Sequence, residues 1–256
     1  MREDLEKLYL EFNHNELVAP DPLQFVWQYD DPRDREVVGL IASSLAFGSV
    51  AQILKSVAAV LANMPHPARW TRDTRESSMR NVFHGFRHRF VDGNDLVDML
   101  CGVRRALERH GSLRECFTAH MAPSDETILP ALTAFVAEIS EGVHRSRNYL
   151  LPAPQQGSAC KRLNLFLRWM IRKDRVDPGV WTPMPASKLI VPIDTHMYRI
   201  GLGLAFTSRK QANMRTALEI TEGFRRICTE DPVRYDFALT RLGMRKDRRL
   251  ERLFRP

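Results

Sequence analysis

Apolar residues recur at three- and four-residue steps along almost the whole chain, the period of helices with one buried face. Leu5, Leu8, Tyr9 and Phe12 form the first such stripe, and the prolines of APDPLQ and DDPRD interrupt it. A long apolar stretch follows from Glu36 to Met64, carrying Leu40, Ile41, Leu45, Ile53, Leu54, Val57 and Leu61. Gly39 and the segment Ala46 to Ser49 mark breaks that divide it into two helices. Further helices are predicted over 75–90, 95–109, 112–120 and 126–144, each bounded by Gly, Pro or Asn-Asp punctuation. The β-branched run Leu189 to Ile193 is too short and too close to proline to build a sheet. The expected fold is all-α, without internal repeats. We read it as two helical lobes with a site in the cleft between them. One lobe runs over 33–175, and the other combines 1–32 with 176–256.

The segment from Arg145 to Met170 combines a turn with a helix start. A Pro/Gln/Gly turn separates a helix ending near His144 from one opening near Ser158. Ser158 is a good N-cap residue, which would place Lys161 at the third helical position. Leu163, Phe166, Leu167, Met170 and Ile171 then make the core-facing stripe, with Lys161, Asn164, Arg168 and Arg172 on the opposite side. Lys161 thus lies in the first turn and off the buried face.

Composition narrows the class. The 256 residues are 44% hydrophobic and 27% charged, which rules out a disordered chain or a collagen. The net charge of +7 fits a polyanionic partner. Seven basic residues against two acids fall between Arg241 and Pro256, and six against one between Lys161 and Arg175. Such runs are usually solvated faces, yet two of them in a basic chain suit a stripe that follows phosphates. Cys101, Cys116, Cys160 and Cys228 are widely spaced, with no CxxC pair, and read as free thiols in a reducing compartment. The opening MREDLEKLYLEF is charged and amphipathic, unlike a signal peptide, and no apolar run is long enough to cross a membrane. A cytoplasmic chain is expected.

Two segments can carry chemistry. A first-turn lysine feels the positive end of the helix dipole, which disfavours its ammonium form and favours an amine able to attack carbon. Unpaired amides at the same helix end can hold a phosphate. A solvated surface lysine fits the same pattern. Asp194 follows the apolar run VPI and opens the segment THMYRI. It is either a structural N-cap or a rigidly held carboxylate facing a developing positive charge. His84 and His88 stand four apart but lack a third metal ligand, and surface histidines are the simpler reading.

The combination of GSACKRLNLFLRW after a turn with VPIDTHMYRIGLGL resembles the helix–hairpin–helix DNA glycosylase superfamily over about 145–243. That superfamily has a lysine at the start of the helix after the hairpin and a later aspartate in a DTHxxR segment. Lys161 and Asp194 stand 33 positions apart, closer to the archaeal 8-oxoguanine glycosylase branch than to the endonuclease III branch. Nearly the whole chain also resembles an uncharacterised bacterial family, DUF2400, through KRLNLFLRWM, PASKLIVPIDTH and YDFALTRLGM.

The resemblance implies a two-lobed glycosylase-like fold and a base-excision enzyme acting on an oxidised purine such as 8-oxoguanine. Lys161 would be the Schiff-base lysine of a glycosylase and AP lyase, and Asp194 the carboxylate that stabilises the sugar cation. Asp236 falls where the archaeal branch places an aspartate that reads the flipped base, although a first-turn acid suits the helix dipole equally well. Phe47 falls at a turn that enters the duplex, and Trp169 is placed to stack on a base, although packing explains both. Ser158, Arg162 and Arg168 beside the hairpin, with Arg245, Arg248 and Arg249 in the basic C-terminal run, would contact DNA. His196 would help to orient the Asp194 loop.

The implied partner is damaged duplex DNA, bound by a monomer at the nucleoid, with no membrane, cofactor or metal. Two departures stand out. The superfamily hairpin carries two glycines, whereas LPAPQQGSA has only Gly157, and the cysteines that hold the iron–sulfur cluster of the endonuclease III branch are absent. The alternative is a nucleic-acid-binding protein that keeps the fold without the chemistry. A helical protein-interaction scaffold, which would not bind DNA in a salt-sensitive way, is a third.

Overall fold

The computed structural model describes residues 1–142, 149–245, 247 and 249–254. In chain order the α-helices are α1 (Arg2–Phe12), α2 (Pro32–Ser44), α3 (Val50–Leu61), α4 (Pro67–Asp73) and α5 (Glu76–Phe83). A two-residue hairpin, β1 (Arg87–His88) with β2 (Val91–Asp92), precedes α6 (Gly93–His110) and α7 (Leu113–Thr118). Then come α8 (Leu129–Ile139), α9 (Lys161–Ile171), α10 (Thr195–Gly203), α11 (Met214–Arg225), α12 (Asp236–Arg245) and α13 (Arg249–Leu253). The all-α expectation holds, and Leu189 to Ile193 forms no strand.

The chain divides into two compact units. The first comprises Met1–Leu17, Glu126–Ile128 and Gly157–Pro256, and the second Val18–Asp125 with Leu129–Gln156. This grouping puts the Lys161 helix with Asp194, where the sequence reading placed it in the other lobe. Its wiring agrees: Arg168 of α9 and Arg172 just after it find their partners downstream, on the 174–177 turn, at Asp231 and on α12.

In the second unit α6 is the centre, packed by α4, α5, α7 and α8. Its start is fixed by a reciprocal capping box. Asp92 accepts the amides of Asn94 and Asp95, and Asp95 accepts that of Asp92. Gly102 lets α8 approach so closely that a Cβ there would overlap the Ile139 carbonyl, at 1.9 Å. The continuous helix expected over 75–90 ends instead at Phe83 and gives way to the small hairpin. His88, expected at the surface, is fully buried. Its Nε2 donates to the Phe47 carbonyl and its Nδ1 lies 2.9 Å from Ser56 Oγ. His84 stays exposed beyond the end of α5, so the two histidines do not share a helix face.

In the first unit α1 packs on α12, and α10 lies along α12. Gly243 permits that last approach. A Cβ there would stand 3.0 Å from His196 Cβ. The helix-opening expectation is corrected at α9. The N-cap is Cys160, so Lys161 is the first helical residue rather than the third. Ser158 instead accepts the Cys160 amide, a local turn that ends at the N-cap itself. The expected helix end near His144 lies outside the described residues, and α8 ends at Ile139.

Candidate active site

Three helices of the first unit begin with a residue singled out by the sequence. Lys161 opens α9, Asp194 caps α10 and Asp236 opens α12. Lys161 and Asp194 are half-buried, while Asp236 is only 4% exposed. Burial pushes the Asp236 carboxyl above the usual carboxylate range, and the charge of Asp194 pushes it the same way. Arg168 and Lys161 oppose that rise. The buried carboxylate therefore feels the charges of both Asp194 and Lys161. Each of the three residues lies at the positive end of a helix.

Asp194 serves as a cap and keeps a spare oxygen. Its Oδ1 accepts the amides of His196 and Met197, both at 2.9 Å, which fixes the carboxylate at the start of α10. Its Oδ2 accepts no hydrogen bond from the described residues. The two readings left open by the sequence are thus compatible in one side chain. His196 contributes its amide to this cap and lays its ring against Gly243.

The backbone just before Lys161 is unusual. Cys160, a non-glycine residue, adopts the left-handed conformation at φ 48 and ψ 38 while being buried. Such a geometry costs on the order of 1–3 kcal/mol and persists only where its surroundings hold it. Asn164 helps to do so: its amide and side-chain nitrogen donate to the carbonyls of Cys160 and Ala159. Gly157, the single glycine of the turn, is also left-handed at φ 78, and its carbonyl accepts the amide of Met214.

Several expected contact residues are placed otherwise. All of α9 from Leu163 onward is buried, so Asn164 and Arg168 on its polar face do not meet solvent. Arg168 pairs with Asp177 at 3.0 Å and, more closely still, with Asp236. It therefore cannot serve as a surface phosphate contact. Arg172 is gripped by Asp174, Asp177 and Asp231. Trp169 is fully buried, and its Nε1 has no hydrogen-bond partner among the described residues, so it packs rather than stacking on a base. Arg249 pairs with Glu11 at 2.7 Å and Asp247 at 2.8 Å, which neutralises the charge it was expected to offer. Arg248 lies outside the described residues.

Arg162 is half-buried, and burial draws its guanidinium down to about 10, still charged at neutral pH. Ser158 and Arg245 are exposed. Phe47, in the second unit, is half-buried, stacked on the exposed Phe90 at 5.2 Å and set edge-on to His88. The sequence reading missed the Arg168–Asp177–Arg172 network. Its signal was two arginines one turn apart in an otherwise apolar helix, followed at once by the acids of KDRVDPG.

The chain belongs to the family described as "Protein of unknown function (DUF2400)", which matches residues 21–245. Neither the curated proteins nor the solved structures include a match. No helix among the described residues is long and apolar enough to cross a membrane.

Proposed function

We propose that the protein is a DNA base-excision glycosylase with AP lyase activity, acting on an oxidised purine such as 8-oxoguanine in duplex DNA. The observation that supports this reading is that the charges of Lys161 and Asp194, each at a helix start, both act on one buried carboxylate, Asp236. A flipped nucleotide would present its sugar to the half-buried pair. The Lys161 amine attacks C1′, the glycosidic bond breaks, and the bonding electrons leave with the base, which takes up a proton. Asp194, fixed through Oδ1, offers its second oxygen to the positive charge that develops on the sugar. Ring opening gives an imine at C1′, and loss of a C2′ proton expels the 3′ phosphate. The positive ends of three helices and the charged Arg162 favour the flanking phosphates. On this reading Asp236, buried and held by Arg168, would be the group that reads the flipped base.

The test is borohydride trapping on duplexes that carry 8-oxoguanine, uracil, an oxidised pyrimidine or an abasic site, with wild type and Lys161→Gln side by side. The expected result is a covalent band with 8-oxoguanine that is lost in the variant. A band with the abasic site alone restricts the activity to lyase chemistry. No band on any lesion, together with salt-sensitive duplex binding, overturns the lysine mechanism in favour of a non-catalytic DNA-binding protein.

A further inference from the structure

We propose that the second unit carries a zinc-class metal site formed by His110, Cys116 and Glu138. The three residues come from the end of α6, the middle of α7 and the last turn of α8. One ligand atom of each lies within 4.8 Å of the other two. Around a tetrahedral zinc the bond lengths of about 2.0–2.3 Å set ligand atoms roughly 3.5 Å apart. Closing the cluster on an ion therefore draws its widest pairs together by about 1 Å, while His110 Nε2 and Glu138 Oε1 spread apart slightly.

The donor set is one imidazole nitrogen, one thiolate sulfur and one carboxylate oxygen. This mixture suits a borderline cation such as Zn²⁺ and disfavours Mg²⁺ or Ca²⁺, which take oxygen. A thiolate and a carboxylate together balance its two positive charges. The cation would take the place of the Cys116 proton, which passes to solvent. Two helices, α6 and α8, end beside the cluster, and their negative dipole ends favour a cation there.

Around these three the supporting groups are in place. His120 Nε2 lies 2.8 Å from Glu138 Oε2 and holds the carboxylate in orientation, the usual outer-shell arrangement of a metal carboxylate. His110 Nε2 and Arg109 Nη1 lie 2.8 and 2.7 Å from Glu138 Oε1. On binding, His110 would carry its proton on Nδ1 and turn a lone pair on Nε2 to the ion. The Arg109 side chain is 55% exposed and already within 3.5 Å of Glu141, so it can yield its place on Oε1. A hydrogen-bond network alone accounts for Arg109, the histidines and Glu138. Cys116 joins the same network, its thiol hydrogen-bonded to Glu138, and so brings a soft ligand to the same point. Cys116 is wholly buried. Three protein ligands leave one coordination position open.

The test uses the whole chain, stripped with a chelator and titrated with Co²⁺ as the optical probe and then with Zn²⁺. Expected are a thiolate-to-cobalt charge-transfer band that saturates at one ion per chain, its displacement by zinc, and a thermal midpoint that rises with zinc concentration. The band should vanish in Cys116→Ser and persist in Cys228→Ser, which changes the more exposed cysteine. His110→Asn, at a side chain nearer the surface, should weaken zinc binding at least tenfold and covers the case in which Cys116→Ser fails to fold. No band in wild type, a band that survives Cys116→Ser, or unchanged affinity in His110→Asn overturns the proposal. None of these readouts depends on DNA.

Discussion

Arg168, in the last turn of α9, reaches the carboxylate of Asp236 at the start of α12, and both side chains are shut away from solvent. The same guanidinium also holds Asp177, which is wholly buried. Arg168→Met therefore leaves two buried acids short of their partner. The expected loss is about 3–5 kcal/mol, read as a lower urea midpoint. Arg168→Met combined with Asp236→Asn should lose less than the sum of the two single changes, because the pair is coupled.

Asp194→Asn separates capping from chemistry. Asparagine accepts the His196 and Met197 amides as well as aspartate does, so stability should change by less than about 0.5 kcal/mol. Removing the charge should slow base release by roughly 10²–10³-fold in single-turnover assays on 8-oxoguanine duplex. Rates within threefold of wild type would remove Asp194 from the reaction.

Acid should loosen the first unit through Asp174. Burial raises its carboxyl, but Arg172 and the amides of Asp177 and Val176 outweigh that and hold it below the usual range. Its stabilising contribution is thus complete above about pH 4, the unfolded value, and is lost as pH falls through the lower folded value. Asp177 and Asp236 are shifted upward and work in the opposite sense, losing their contribution as pH rises from about 4 towards their folded values. Asp174→Asn should be less stable at neutral pH and show a shallower decline below about pH 4, followed by urea titration across pH.

Trp169→Phe tests packing against stacking. The indole N–H is buried without a partner among the described residues, so removing it relieves a desolvation penalty while the smaller ring leaves a void. These effects oppose each other, and the net change should stay within about 1.5 kcal/mol. Duplex affinity should not move. A drop of tenfold or more would return this side chain to the DNA.

Ala205 follows α10 in the left-handed conformation, at φ 55, and is exposed. Glycine adopts that conformation freely. Ala205→Gly should raise stability by about 0.5 kcal/mol, the relief of strain less the added freedom of the unfolded chain. Thermal denaturation would detect it.

The helical fold was legible because amphipathic stripes report a helix wherever one face is buried. Leu5, Leu8, Tyr9 and Phe12 are all buried in α1, as their spacing implied. Periodicity failed at α9 for a physical reason. Arginine marks solvent only when its counter-ions are also at the surface, and here they are supplied by residues as distant as Asp231 and Asp236. Lys161, Asp194 and Asp236 stood out in the sequence as helix-opening residues, and each does open or cap a helix. Their shared electrostatics depends on how α9, α10 and α12 pack, which no local pattern encodes. The Glu138 cluster escaped notice because its ligands lie on three separate helices with no motif spacing.

The division of the chain has a consequence for synthesis. The second unit is complete once residue 156 has been made, apart from the short excursion at 126–128. The first unit joins the first seventeen residues to the last hundred. During vectorial translation α1 therefore emerges well before α12, its packing partner. Throughout that interval the apolar stripe of Leu5, Leu8, Tyr9 and Phe12 lacks the α12 surface that covers it in the folded unit.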